Sequence, residues 1–165
     1  DADMRRPFAH HYLGLPNGKG LSDFLTGQAT IEEIVREVPG STLKVVTAGG
    51  MSPNPSELVA SDLFRQILEY GSDNFDRVVI DVPPVLFIPD GLIVAKHVHS
   101  GVLICGSGMV HKKTVKTVKE KFDSIGHSFI GIILNKVNYE KGMGRYKYYR
   151  TYKNYYSKIR TAAAK

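Results

Sequence analysis

Short apolar segments alternate with helical patterns along most of this 165-residue chain. The apolar segments are residues 43–47, 77–82, 101–105 and 129–134. Their apolar side chains are nearly continuous rather than alternating with polar ones, which is typical of strands that are covered on both faces. Parallel strands require long crossover connections, and helices between the strands supply them. The pattern therefore predicts an α/β fold with a parallel β-sheet sandwiched by helices.

Helical periodicity occupies three of the stretches between these segments. Apolar residues after Ser56 recur on one helical face, so we expect a helix of about four turns that ends near Gly71. Residues 90–97 have a second helical pattern, and residues 111–125 have the pattern of an amphipathic helix. The lysines of this last helix form a stripe that we interpret as a solvated face.

Chemically versatile side chains follow the predicted strands. Asp81 ends one apolar segment, Asn135 follows another, and Asp1 and Asp3 open the chain. Ligands of parallel sheets bind outside the carboxyl ends of the strands, where carboxylates can hold Mg²⁺ or accept a proton. Simpler alternatives remain open, because aspartate also suits turns, a pair of acidic residues can be a solvated terminus, and asparagine can cap a strand.

Tyrosine is concentrated near the C-terminus, where residues 146–156 contain six of the nine tyrosines of the chain. Lysine and arginine alternate with these tyrosines, and no helical or strand period would bury the rings, so we expect solvated phenols. Residues 136–165 contain nine Lys or Arg and one Glu, so their net charge is +8, whereas residues 1–135 carry −2. The segment can be interpreted as a nucleic-acid-binding surface or as a set of hydroxyl groups presented for phosphorylation.

Composition excludes several other classes of protein. Cys105 is the single cysteine and lies in an apolar segment, so there is no disulfide framework and we expect a buried thiol. No stretch approaches the roughly 18 apolar residues that a membrane-spanning helix needs, and the N-terminus does not resemble a signal peptide. We therefore expect a soluble, cytoplasmic chain, and the spacing of its histidines does not predict a metal site.

Four motifs, in this order, resemble those of the bacterial tyrosine kinases, the autokinases of capsule and exopolysaccharide assembly. The motifs are Asp-Ala-Asp-Met-Arg-Arg-Pro at residues 1–7, Gly-Leu-Ser-Asp-Phe-Leu-Thr-Gly at 20–27, Ala48-Gly49 with Pro-Asn-Pro-Ser-Glu-Leu at 53–58, and Val-Ile-Asp-Val-Pro-Pro at 79–84. This family is related in fold to the deviant P-loop ATPases that partition chromosomes and place division sites. The resemblance implies a P-loop NTPase-like domain at residues 1–138, followed by a flexible, basic, tyrosine-rich tail at residues 139–165.

The resemblance also assigns roles to residues by their position in the motifs. Asp1 and Asp3 resemble the family's second Walker motif, whose carboxylates serve near the metal and the acceptor phenol, and Asp81 resembles its Walker B aspartate. It implies that these three residues are catalytic, that Asp1 and Asp81 bind Mg²⁺, and that Asn135 lies where related ATPases contact the adenine of ATP. The implied phosphate acceptors are Tyr146, Tyr148, Tyr149, Tyr152, Tyr155 and Tyr156.

One family motif does not occur in the 165 residues. The family has a Gly-x-x-x-x-Gly-Lys-Ser/Thr loop upstream of the position that Asp1 occupies here, and this sequence contains none. We therefore expect the chain to be the C-terminal part of a longer protein, without the phosphate-binding loop, the helix after it and at least two core strands. Without the loop's N–H groups and lysine, we expect this chain alone to be inactive.

The resemblance implies partners as well as an activity. It implies a homo-oligomeric ring that phosphorylates in trans, a membrane polysaccharide co-polymerase or adaptor domain, fused or separate, and a tyrosine phosphatase. The expected location is the cytoplasm, at or tethered to the inner face of the cell membrane, and nucleic acid is not an expected partner. The alternative is a non-catalytic ATPase-like domain whose basic aromatic tail binds nucleic acid or an anionic membrane.

Overall fold

The computed structural model describes residues 1–138 of the chain. Its elements are short in the first half and longer in the second half. In chain order they are α1 (Ala9–Leu13), α2 (Leu21–Leu25), α3 (Ile31–Ile34), β1 (Val35–Glu37), β2 (Lys44–Val46), α4 (Pro55–Val59), α5 (Asp62–Asn74), α6 (Asp90–Ala95), β3 (Gly101–Gly106), α7 (Lys112–Asp123) and β4 (Phe129–Asn135).

The strands pair in two separate two-stranded sheets within the described residues. β3 and β4 are parallel, with Leu103 opposite Ile132 and Gly106 opposite Asn135, and α7 connects them. This β3–α7–β4 unit is the parallel crossover that the sequence predicts. β1 and β2 instead form an antiparallel pair, in which Val35 lies opposite Val46.

The predicted strand at residues 77–82 has no ladder partner among the described residues. A groove of about 700 Å³ separates this segment from β2, and both line it together with α5. Because a strand is defined by hydrogen bonds to a neighbour, the segment is not assigned as one, and Val79 is 90% exposed. The predicted parallel sheet is therefore only partly formed by residues 1–138.

The predicted four-turn helix after Ser56 is two helices. Ser61 separates α4 from α5: it has extended backbone angles, its hydroxyl accepts a hydrogen bond from the amide of Phe64 (3.3 Å), and it donates one to the carbonyl of Leu58 (2.7 Å). A serine in this geometry is a helix N-cap, because it satisfies an amide that has no partner within the helix. The apolar face continues across the break, so periodicity alone did not reveal it.

Two apolar clusters hold the described residues together. The larger joins the start of the chain to α2, α4 and α5, with Met4, Ile34, Val59 and Phe64 nearly inaccessible to solvent. The smaller packs α7 against β3 and β4. Cys105 is buried, as predicted. The sequence also predicted that β4 would be buried, and this was wrong. β4 is mostly exposed, and its apolar side chains are uncovered among the described residues.

The helices carry one further finding about membranes. Within residues 1–138, none is both long and apolar enough to cross a lipid bilayer.

The cap at Ser61 gives a stability test. Replacing Ser61 with Ala leaves the amide of Phe64 without its side-chain acceptor, so we expect the free energy of unfolding to fall by about 1 kcal/mol. Urea unfolding followed by circular dichroism measures it. Ser72→Ala, at an exposed position within α5, is the matched control and should be neutral or slightly stabilising. Equal unfolding midpoints for the Ser61→Ala variant and the unmodified chain would contradict the cap.

Candidate functional site

The start of the chain lies between two other segments. The backbone nitrogen of Asp1 donates a hydrogen bond to the carbonyl of Val46 at the end of β2 (2.8 Å), and the amide of Ala2 donates to the carbonyl of Asp81 (2.8 Å). These two bonds hold residues 1–2 against β2 on one side and residues 77–82 on the other. They bring residues 1–2 of the first motif beside Asp81 of the fourth.

The carboxylate of Asp1 organises the loop that follows it. Its Oδ1 accepts a hydrogen bond from the amide of Asp3 (3.0 Å), and its Oδ2 accepts from the amides of Phe8 (3.2 Å) and Ala9 (3.1 Å). These three hydrogen bonds turn the chain back toward Asp1 and orient the start of α1. A carboxylate has about four lone-pair positions, so three backbone donors leave little capacity for another ligand.

The second aspartate of the motif is only partly engaged. Asp3 Oδ1 accepts hydrogen bonds from the amides of Arg5 (3.1 Å) and Arg6 (2.9 Å), which closes a tight turn after it. Asp3 Oδ2 has no hydrogen-bond donor among residues 1–138. That oxygen is therefore available to a metal ion or to a proton.

Asp81 presents the least engaged carboxylate of the three. Its side chain is exposed and accepts no hydrogen bond from the described residues, while its backbone carbonyl is fixed by Ala2. Asp81 can therefore bind a cation without giving up an existing contact.

The donor set fits Mg²⁺ in one specific way. Carboxylate oxygens are its preferred protein ligands, and it is usually held by one or two carboxylates together with water and substrate phosphates. Within residues 1–138, no group of three or more His, Cys, Asp or Glu side chains is arranged to hold a metal ion. A Mg²⁺ ion bound through Asp81 or Asp3 would therefore need water and substrate phosphates for its remaining ligands.

An ion pair between half-buried Arg5 and buried Asp90 anchors the same loop to two helices. The guanidinium of Arg5 donates to Asp90 through Nε (3.2 Å to Oδ2) and Nη2 (3.4 Å to Oδ1), and Nη2 also donates to Ser56 Oγ (2.8 Å). The hydroxyl of Ser56 in turn donates to Asp90 Oδ1. Asp90 is only 1% exposed. Ser56 lies in α4 and Asp90 begins α6, so the loop is fixed from both.

Sequence reasoning did not select Ser56 or Asp90 as part of the site. Asp90 carried a signal nonetheless, because it precedes the apolar residues Gly-Leu-Ile-Val-Ala of α6. A first-turn aspartate is ordinarily explained by the helix dipole, and nothing in the local sequence shows that this one is buried. Its partner Arg5 lies 85 positions away in the chain.

The second and third motifs meet through close backbone contact. The first amides of α2, on Leu21 and Ser22, donate to the carbonyls of Thr47 (2.8 Å) and Ala48 (2.9 Å). A Cβ on Gly20 would lie 2.4 Å from both the Gly49 nitrogen and the Thr47 oxygen, so only glycine fits there. Gly49 itself has a φ of 79°. These contacts fix the loop that follows β2 beside Asp1.

Asn135 lies at the end of β4, away from these contacts. Its Oδ1 accepts a hydrogen bond from the amide of Lys136 (2.8 Å), and its carbonyl accepts from the amide of Ser107 (2.8 Å). Both bonds support the strand-end cap that the sequence left open. The contact with adenine stays a prediction, since no described hydrogen bond joins Asn135 to the loop of Asp1 and Asp3.

The six predicted phosphate acceptors lie outside the described residues. They are Tyr146, Tyr148, Tyr149, Tyr152, Tyr155 and Tyr156. Their role therefore stays a prediction from the sequence, as do the catalytic roles of Asp1, Asp3 and Asp81.

Comparison with known proteins identifies the family. The tyrosine-protein kinase Ptk of Acinetobacter johnsonii is 37% identical over 139 residues, which are 83% of this chain and 19% of Ptk. CpsD of Streptococcus agalactiae, also a tyrosine-protein kinase, is 36% identical over 73% of this chain and 52% of its own length. The crystal structure of the VpsO kinase domain matches with a TM-score of 0.79 and 32% identity, covering 84% of this chain and 68% of that domain. The chain belongs to the bacterial tyrosine kinases. No protein-family model matches it.

Membership in the bacterial tyrosine kinases confirms the predicted fold class. The kinase domains that match have the P-loop NTPase-like architecture of a parallel sheet and helices, which residues 1–138 form in part. The chain spans between 19% and 65% of the lengths of the first curated kinases that it matches.

The contact at Gly20 can be tested by adding one methyl group. Gly20→Ala places a Cβ against backbone atoms that cannot rotate away, so we expect the free energy of unfolding to fall by about 1–3 kcal/mol. Urea unfolding measures the loss. Gly18→Ala is the matched control, because its Cβ would approach no atom more closely than Arg36 Nη2 at 3.7 Å. Equal effects of the two substitutions would contradict the close approach.

Proposed function

We propose that this chain is part of a protein-tyrosine autokinase that transfers phosphate from MgATP to its own C-terminal tyrosines. The observation that carries the proposal is the pair of hydrogen bonds from Asp1 and Ala2, which place the Asp1–Asp3 loop beside Asp81. Kinase relatives at 34–37% identity support the same activity. They do not favour the alternative of a non-catalytic, nucleic-acid-binding domain.

The carboxylates of the site have separate tasks in this proposal. Asp81 and the free Oδ2 of Asp3 are the oxygens that would hold Mg²⁺, which offsets phosphate charge when it is bound. Asp1, which the resemblance also makes a metal ligand, mainly orders the loop through its three backbone donors. A carboxylate near the acceptor tyrosine would also have to accept the proton of the tyrosine hydroxyl. A free phenol, with a pKa of about 10, is a weak nucleophile at neutral pH.

Two other elements of the proposal come from sequence. No Gly-x-x-x-x-Gly-Lys-Ser/Thr loop occurs in the 165 residues, so nothing in this sequence supplies the usual cradle for the β- and γ-phosphates. Asn135 is the proposed contact for the adenine ring, and its amide nitrogen donates to no described residue. We propose that activity requires a phosphate-binding loop in addition to residues 1–165.

The tail is the proposed substrate and the proposed switch. Residues 136–165 carry a net charge of +8. Each phosphotyrosine adds nearly two negative charges, so about four of them bring the tail close to neutrality. We propose that this change controls a homo-oligomer that phosphorylates in trans at the cytoplasmic face of the membrane. A membrane co-polymerase or adaptor domain and a tyrosine phosphatase are the further partners in polysaccharide export.

The role of Asp81 can be tested directly. In the protein expressed from its complete gene, Asp81→Asn should reduce phosphotyrosine in residues 146–156 by about a hundredfold or more, since it removes a proposed metal ligand. Mass spectrometry of the tail peptide measures the modification. Asp73→Asn, an exposed carboxylate on α5, should leave it unchanged. Undiminished tail phosphorylation in a folded Asp81→Asn variant would contradict the proposed site.

The charge switch can be tested independently of the site. Replacing the six tail tyrosines with Phe should abolish the effect of MgATP on oligomer size, because no phosphate can then offset the basic residues. Analytical ultracentrifugation before and after incubation with MgATP measures that size. A variant that changes its oligomeric state with MgATP as the unmodified protein does would refute control by tail charge.

A further inference from the structure

Asp90 is a buried carboxylate that Arg5 connects to the candidate site. It begins α6 and is 1% exposed, and both of its oxygens accept hydrogen bonds. The donors are the guanidinium of Arg5, at 3.2 Å and 3.4 Å, and the hydroxyl of Ser56. An isolated charge at such a position is strongly disfavoured, so the carboxylate holds its cationic partner in place.

Ser56 completes a closed set of three side chains. Its hydroxyl donates to Asp90 and accepts from Arg5 Nη2 (2.8 Å), which uses both the donor and an acceptor of the group. Arg5 therefore bonds at once to α4 through Ser56 and to α6 through Asp90. A forked guanidinium with two such partners has one orientation, whereas a flexible ammonium would not.

The fixed side chain of Arg5 determines where its backbone lies. The amide of Arg5 donates to Asp3 Oδ1 (3.1 Å), and the amide of Arg6 donates to the same oxygen (2.9 Å). A chain of direct contacts thus leads from Asp90 to Arg5 and from Arg5 to the carboxylate of Asp3. Asp3 Oδ2 is the oxygen left open at the site.

We propose that Asp90 is a positioning residue for phosphoryl transfer, which acts through Arg5 to fix the carboxylate of Asp3. This inference rests on the proposed kinase function and adds to it a residue outside the four motifs. Asp90 touches neither nucleotide nor acceptor. Its effect belongs to the rate of the chemical step, because positioning errors near 1 Å in a reacting site cost about a hundredfold in rate.

The kinetic test uses the kinase expressed from its complete gene. The substrates are MgATP and a synthetic peptide with the sequence of residues 146–156. Asp90→Asn should lower kcat by about tenfold to a hundredfold, with KM for ATP changed by less than about threefold. The matched control is Asp62→Asn, which makes the same change at the first turn of α5 in an exposed ion pair with Arg65. It should leave both constants unchanged.

A double substitution separates positioning from a general loss of stability. If Asp90 acts through Arg5, the Arg5→Gln/Asp90→Asn double variant should have about the same kcat as Arg5→Gln alone. Rates are compared per folded molecule. The proposal would be overturned if the loss of kcat in the double variant equalled the product of the losses in the two single variants. An unchanged kcat in Asp90→Asn would also overturn it. Should Asp90→Asn not fold, Ser56→Ala replaces it and should lower kcat in the same direction by a smaller factor.

Amide hydrogen exchange tests the same contacts without catalysis. Asp90→Asn should speed exchange at Arg5 and Arg6 by about tenfold, because their bonds to Asp3 open more often, and Asp62→Asn should not. Unaltered exchange would overturn the positioning role whatever the kinase activity is. If the exchange rates change as predicted but the unsubstituted protein phosphorylates neither its tail nor the peptide, the proposed function alone is contradicted.

Discussion

Two hydrogen bonds at the start of the chain carry the arrangement of the candidate site. Asp1 bonds to the carbonyl of Val46 and Ala2 bonds to that of Asp81, each at 2.8 Å. Successive nitrogens of an extended chain point to opposite sides, so residues 1–2 can join two neighbours at once. This placement brings the carboxylates of two distant motifs to one edge.

The carboxylates at that edge differ in how many donors they already have. Backbone amides occupy most of Asp1 and one oxygen of Asp3, so these groups shape the loop in the way that aspartates shape turns. Asp81 has no such donors among the described residues. Three residues of the same type thus differ in their hydrogen bonds: Asp1 and one oxygen of Asp3 shape the loop, whereas the carboxylate of Asp81 stays open among the described residues.

Local pattern predicted the second half of the described chain best. The α6, α7, β3 and β4 elements lie where periodicity put them, because the helices form from nearby residues and the two strands find their partner in each other across α7. Residues 77–82 did not form the predicted strand, since a strand depends on a neighbour that local pattern does not reveal. Asp81 and the Asp1–Asp3 pair could be selected from their motifs. Asp90 could not, because its burial depends on Arg5, 85 positions away.

The ion pair of Arg5 and Asp90 also bears on how the basic tail would bind under the proposed function. Residues 136–165 carry +8 and residues 1–135 carry −2, so attraction between them would favour binding. Arg5 lies in the same loop as Asp1 and Asp3, where an unpaired guanidinium would repel lysines and arginines. Asp90 offsets that charge and leaves the edge negative. Under the proposed function, each phosphate lowers the positive charge of the tail and so weakens this attraction. Under the same proposal, phosphorylation would therefore favour release of the tail.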